Sequence, residues 1–227
     1  MSRAGPAPWS SPTRRKSCDT PTFRWSSSPD MAGAAGGGPR VLVHADESCL
    51  GNDRSKPSPG GNAALIEAPA GDSVARWDFY ESSPQTTNNQ MALAGAIATL
   101  EWIRRQWKHA RVVYVSDSQY LVKGMGEWVA GWEARGWKRK GGVLENLELW
   151  QKLVQAAAAH RVEWRWIEGH AGHAKNEYAD SLATRAAERQ ERSNGLVPSG
   201  FDTWLAQERT RGRYGDYDPD QELHERL

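Results

Sequence analysis

Long apolar runs, cysteine and net charge are what this 227-residue chain has least of. No stretch approaches the roughly 18 apolar residues of a membrane-spanning helix, and the mean hydropathy is −0.74. Two cysteines, Cys18 and Cys49, cannot build a disulfide framework and suit a reducing compartment. Lys plus Arg (29) almost cancels Asp plus Glu (28), leaving a formal charge of +1. No global field then draws a polyanion, and affinity for nucleic acid has to come from a local patch. There is no internal repeat. Membrane protein, collagen, coiled coil and disulfide-rich secreted module are excluded. What the chain has in excess is tryptophan, twelve in all. A soluble enzyme or binding domain of ordinary size remains.

Composition divides the chain. Residues 1–39 are rich in Ser, Pro, Gly, Ala and Arg, with five basic residues (Arg3, Arg14, Arg15, Lys16, Arg24) against Asp19 and Asp30. Such a segment buries too little apolar surface to offset its chain entropy, so it reads as a disordered extension. Two explanations stand for it: an organelle transit peptide, or a start site placed ahead of Met31. Residues 40–190 carry the ordered pattern. Residues 191–227 turn polar, with eight acids against five basic residues. They read as an acidic tail in which Phe201, Trp204 and Leu205 form at most a short amphipathic turn.

Within 40–190, Val41–Asp46, Asn62–Ala68 and Val74–Tyr80 read as three short strands, an antiparallel meander with a long Gly/Pro loop after the first. Leu93, Ile97, Leu100, Ile103 and Trp107 recur at helical spacing behind the cap residues Asn88 and Asn89. Arg111–Asp117 is almost all apolar, as for a strand covered on both faces. Leu147, Trp150, Val154 and Ala157 mark a second long helix, 162–167 a fifth strand, and 174–190 a last helix. The order βββαβαβα, with the last two strands parallel to the first, describes a layered α/β domain.

Three aspartates fall where such a sheet concentrates chemistry. Asp46 ends the first strand, Asp117 ends the fourth, and Asp180 lies in the first turns of the last helix. Sites in open α/β sheets form beyond the carboxyl ends of the strands. Clustered carboxylates stay ionised only beside a cation, and oxygen-only ligands select Mg²⁺ or Mn²⁺. Each Asp is equally suited to capping a turn or helix, so spacing alone leaves both readings open. The segment Gly169-His-Ala-Gly-His173 precedes Asp180 and reads either as a loop with a proton-shuttling histidine or as a purely structural turn. His109 and His160 read as surface residues at helix ends. Between Gly126 and Gly142, Trp128, Trp132 and Trp137 alternate with Arg135, Lys138, Arg139 and Lys140. That pattern places cations for phosphates above a tryptophan core.

Taken together, Ala45-Asp-Glu-Ser-Cys-Leu-Gly-Asn52, Thr86-Thr-Asn-Asn-Gln-Met91, Ser116-Asp-Ser-Gln-Tyr120, Gly136-Trp-Lys138 and the run from Gly169 to Asp180 resemble type 1 ribonuclease H of the bacterial kind, over residues 40–190. The resemblance implies a five-stranded mixed sheet, three antiparallel then two parallel strands, flanked by helices. It implies hydrolysis of the RNA strand of RNA–DNA hybrids by a monomeric, cytoplasmic enzyme using two Mg²⁺ ions, with Mn²⁺ as a substitute. Asp46, Asp117 and Asp180 match three of the family's four metal ligands, and His170 its mobile histidine. Asn52, Asn88, Asn89 and Gln119 match positions that contact the hybrid in its minor groove. Trp128 and Lys138 belong to the basic protrusion that grips the DNA strand.

Two positions depart from the family. Its fourth carboxylate is a Glu where this chain has Ala92, and its usual Gly after the first Asp is here Glu47. Alternation along a strand points Glu47 away from Asp46, so it joins the site only through a bulge. Glu177, one turn before Asp180, is a second candidate for compensation. The outcomes left open are an enzyme with an altered metal site, a hybrid-binding protein without turnover, and an inactivating substitution.

Overall fold

The structure, a computed structural model, describes residues 38–51, 57–138, 142 and 144–226, with side chains to Leu223. Strands β1 (Arg40–Cys49), β2 (Ser58–Ala70) and β3 (Ser73–Thr86) form the antiparallel meander, and β4 (Arg111–Ser116) and β5 (Arg161–Trp166) add parallel to β1. The helices are α1 (Asn88–Trp107), α2 (Gln119–Lys123), α3 (Val129–Ala134), α4 (Leu147–Ala158), α5 (Ala174–Arg189), α6 (Phe201–Thr210) and α7 (Gln221–Arg226). A π-helical turn, Gly124–Trp128, joins α2 to α3.

The sheet has six strands rather than the expected five, in the order β5-β4-β1-β2-β3-β6. The sixth, β6 (Val197–Pro198), comes from the segment expected to be a polar tail and pairs with Trp77 and Asp78 of β3. The rest of that segment forms α6 and α7 instead of a single turn. Phe201 and Leu205 are buried beside Leu65, Tyr178 and Leu182, and Leu223 is buried against Leu42, Val113 and Val115. The acids that gave the segment its polar look are largely matched. Glu208 receives Arg211 and Arg213, while Asp202 and Asp220 receive Arg76.

Alternation sorts β1 cleanly between two layers. Val41, Val43 and Ala45 face α1 and α4 in the main core, whereas Leu42 packs in the cluster that holds Leu223. The close seating of α1 on the sheet depends on Gly95, where a Cβ would fall 2.8 Å from Asn62 Cγ of β2. Much of the tryptophan load is structural. Trp150 is fully buried, donates to the Tyr120 hydroxyl at 2.9 Å, and packs edge-on against Trp132.

His160 is a correction to the sequence reading. It is buried rather than exposed, accepting from Ala110 N at 3.2 Å through Nδ1 and reaching Leu100 O at 3.0 Å through Nε2. Burial lowers its pKa. The ring ties α1 to the start of β4 as a neutral linker.

Candidate active site

In the parallel pair β1/β4, Ala45 lies opposite Ser116. Asp46 and Asp117 are therefore the next step on adjacent strands, at the carboxyl edge of the sheet. Asp46 is nearly buried, and its two oxygens are held separately: Oδ1 accepts from Glu47 N at 2.7 Å and Oδ2 from Asn176 Nδ2 of α5 at 2.9 Å. The Asp117 backbone is fixed by Trp166, whose indole Nε1 donates to its carbonyl at 3.0 Å. Gly169 passes so close that a Cβ would sit 2.2 Å from Asp117 Oδ2, so the loop approaches the carboxylate only because this residue has no side chain.

Glu47 belongs to this group. One carboxylate oxygen from each of Asp46, Glu47 and Asp117 lies within 4.8 Å of the other two. No bulge is required: β1 stays in register with β2 through Asp46–Ala63 and Glu47–Asn62. Alternation does put Glu47 on the α1 face and Asp46 on the α5 face. At the carboxyl edge both faces open onto one crevice, and side chains from either reach it. Glu47 lines a small cavity with Met91, Ala92 and Gly95 of α1. Position 92 thus borders the same cavity as Glu47.

The electrostatics of the cluster favour a nearby positive charge. Burial, then the charges of Asp117, Glu47 and Asp180, push the Asp46 carboxyl up to about 9. Burial and Asp117 push Glu47 up to about 8, against a hydrogen bond from Ser118. Asp117 is also raised, mainly by burial, while the facing His170 pulls it back. Such shifts follow from like charges in a dry pocket and are relieved by a cation.

Asp180, half-buried on α5, lies outside the 4.8 Å group yet close enough for its charge to raise both Asp46 and Asp117. His170 is exposed with φ 55° on the loop beside Asp117. Glu177, the other candidate for compensation, is instead paired with Arg213.

Asn88, Asn89 and Gln119 are brought together. With Glu47, Ser118, Thr86 and Thr87 they line a cleft of about 400 Å³ adjoining the carboxylates. The cap of α1 is Thr87, whose hydroxyl accepts from Gln90 N at 3.3 Å, and not the two asparagines. Asn88 and Asn89 are thereby left exposed toward the cleft. Trp128 lies in a neighbouring hollow with Tyr120, Trp132, Leu144 and Glu145, away from the carboxylates. Lys138 is exposed and lines neither space. Asn52 lies outside the described residues.

Sequence reading passed over Asn176 and Ser118, whose roles appear only when α5 and the turn after β4 close on the site. For Glu47 a signal was present. An acid gained at 47 and an acid lost at 92 are complementary changes.

A family model described as RNase H matches residues 38–188. A ribonuclease H of Methylococcus capsulatus is 46% identical over 148 residues, 65% of this chain and 88% of that protein. Another, of Aromatoleum aromaticum, is 40% identical over 159 residues, 70% and 97% of the two chains. Among solved structures, LC9-RNase H1, described as a type 1 RNase H with the type 2 active-site motif, is 50% identical with a TM-score of 0.72. The match covers 76% of this chain and 83% of that one. A foamy viral protease-reverse transcriptase in complex with RNA/DNA hybrid matches with a TM-score of 0.56 at 12% identity, over 72% of this chain and 22% of its own, a likeness of fold alone.

Proposed function

Because the chain belongs to the ribonuclease H family, type 1, we propose that it hydrolyses the RNA strand of RNA–DNA hybrids, with Glu47 supplying the carboxylate that Ala92 lacks. The observation that carries this reading is the convergence of Asp46, Glu47 and Asp117 within 4.8 Å. Likeness to a type 1 enzyme with a type 2 active-site motif supports a carboxylate set that departs from the usual type 1 pattern.

The residues present fit a hard divalent cation. The donors are all carboxylate oxygens, and their mutual repulsion and burial hold protons on Asp46 and Glu47 that a cation would displace. Asp46, Glu47, Asp117 and Asp180 would hold Mg²⁺, or Mn²⁺ in its place. When bound, such ions stabilise charge on the phosphodiester and make water a competent nucleophile.

The protein's own groups set the geometry. Asn176 holds Asp46 in one orientation, and Ser118 does the same for Glu47. Asn88, Asn89 and Gln119 present amides along the cleft, where they can read minor-groove edges and the 2′-hydroxyl that distinguishes RNA. His170, exposed beside Asp117, is placed to move a proton between the site and water. Trp128 and Lys138 meet the DNA strand farther along, and Asn52 keeps the hybrid-contacting role that its motif implies. The protein acts as a monomer in the cytoplasm. No helix among the described residues is long and apolar enough to cross a membrane.

A hybrid-binding protein without turnover was the alternative so long as position 92 left the site one acid short. The closeness of Glu47 to Asp46 and Asp117 favours cleavage over that alternative. Cleavage of a labelled hybrid in Mg²⁺, and separately in Mn²⁺, tests the reading. The protein is expected to cut in at least one of the two, and Asp117→Asn in neither. Full activity in Asp117→Asn would overturn the assignment.

A further inference from the structure

At the opposite end of the sheet from the carboxylates, three arginines stand side by side. Arg40 pairs in register with Arg111, and Arg111 with Arg161, so one arginine begins each of the adjacent parallel strands β1, β4 and β5. In-register residues on parallel strands point to one face, with strands roughly 4.8 Å apart. All three side chains are exposed and line a cavity of about 370 Å³ with Val112, Val113, Val162 and Glu163. None has an ion pair or side-chain hydrogen bond among the described residues. Glu163, the carboxylate lining the cavity among the described residues, accepts from Arg165 Nε at 2.7 Å.

Like charges directly opposite on neighbouring strands destabilise a sheet. A row of three guanidiniums that shares its cavity with a single acid, Glu163, among the described residues is therefore costly to the protein alone and suited to an oxyanion. Guanidinium forks match phosphate oxygens two at a time. The row lies six residues along β1 from Asp46, roughly 20 Å at the rise of a strand.

We propose that Arg40, Arg111 and Arg161 form a phosphate-binding ladder that engages the backbone of a nucleic-acid strand outside the catalytic cleft. The choice of nucleic acid over a free phosphate rests on the proposed function; the ladder as an oxyanion site does not.

The experiment compares the full chain with its Arg40→Gln/Arg111→Gln/Arg161→Gln variant in EDTA, so that no cleavage occurs. The probes are a hybrid of about 24 base pairs, one of about 6 base pairs spanning roughly 20 Å, and inorganic phosphate. On the long hybrid, the triple variant is expected to bind at least about tenfold more weakly at low salt. Its log–log salt slope should be shallower by about 2–3, near one unit for each phosphate no longer neutralised. The short hybrid should bind both proteins alike. Inorganic phosphate should shift the amide resonances of Val112 and Val162 in the unaltered protein, a reading that does not depend on how the variant folds. Resonances indifferent to phosphate would overturn the ladder as an oxyanion site. Phosphate shifts with unchanged hybrid binding would overturn the nucleic-acid assignment. Failure of cleavage in Mg²⁺ and Mn²⁺, by contrast, bears on the catalytic reading alone, since these binding measurements involve no turnover.

Discussion

Glu47 and Ala92 line the same small cavity, the one from β1 and the other from α1. On the proposed reading, an acid on the strand stands in for the acid that the family resemblance places on the helix, entering the crevice from the same face of the sheet. Glu47 meets Asp46 and Asp117 there, although Asp46 reaches the site from the other face. What an active site conserves in such an exchange is the position of an oxygen, and two backbone positions can deliver it.

Adding a second acid without removing the first should do harm. Ala92→Glu pushes a longer side chain into a corner already filled by Glu47 and brings another negative charge to a cluster whose protons are held by repulsion. We expect a loss of stability of about 1–3 kcal/mol from overpacking and no gain in cleavage rate, as read by chemical denaturation and by hybrid cleavage. A faster enzyme would count against Glu47 as the occupant of that corner.

Neutralising one acid should separate stability from activity. Asp117 contributes to raising both Asp46 and Glu47, so Asp117→Asn removes repulsion from the cation-free fold. Its thermal midpoint in EDTA is expected to equal or exceed that of the parent while cleavage falls by a hundredfold or more, on the order of 3 kcal/mol in the barrier. A large drop in the midpoint would mean that the carboxylate is chiefly structural.

The same cluster makes stability depend on pH with a definite sign. Asp46 near 9 and Glu47 near 8 lie above the ordinary carboxylate range. Carboxyls whose folded values are raised stabilise the fold fully below their unfolded values, near 4, and that contribution is lost as pH rises through the folded values. Without divalent ions, stability should decline between about pH 4 and pH 9. Mg²⁺ acts on the ionised form, so its stabilising effect should be larger near pH 8 than near pH 5. Thermal melts with and without Mg²⁺ at both values provide the check, and a benefit that shrinks with rising pH would contradict the cluster as a cation site.

Asn176→Ala should weaken the site without emptying it. The buried amide donates to Asp46 Oδ2, and groups that orient a metal ligand are typically worth about 10–100-fold in metal affinity or activity. Raised Mg²⁺ requirement with a cleavage rate that recovers at saturating Mg²⁺ is the expected pattern. An unchanged Mg²⁺ profile would show that Asp46 needs no such support.

The segment after α5 should be integral to the fold. Arg76 connects Glu67 of β2 with Asp202 and Asp220, lies over the Phe201 ring, and shares Glu67 with the buried Lys175. Truncation after Asn194 uncovers Leu65 and Tyr178 and removes two of the three acids that face Arg76. The two acids lost are exposed, so their pairs with Arg76 add little. Burial of Phe201, Leu205 and Leu223 is worth about 1.5–3 kcal/mol each, and a loss of at least about 3 kcal/mol is expected in urea denaturation. A truncated chain as stable as the parent would return the segment to the status of a tail.

How far this could be read from sequence depended on whether charge and periodicity speak for the same environment. The five central strands and the helices 88–107, 147–158 and 174–189 were legible because their apolar spacing matches the faces they bury. Helix α6 was not, because Glu208 counts as polar in any window although it is buried between Arg211 and Arg213. Asp46 and Asp117 stand at the carboxyl ends of β1 and β4, and Asp180 on α5, as the sequence placed them; spacing alone did not separate a metal site from turn and helix caps. Glu47 was set aside by a correct rule about alternation, applied at a sheet edge where both faces share one opening. His160 looked like a dipole-favoured surface residue because nothing local shows that Leu100 and Ala110 close over it.

The central claim is that Glu47 does the work of the acid missing at 92. Its most direct test is hybrid cleavage in Mg²⁺ by three proteins: the parent, Glu47→Gly, and Glu47→Gly/Ala92→Glu. We expect the parent to cut, the single variant to lose at least a hundredfold, about 2.7 kcal/mol of barrier, and the double variant to recover much of that loss. Parental activity in Glu47→Gly would contradict the claim outright.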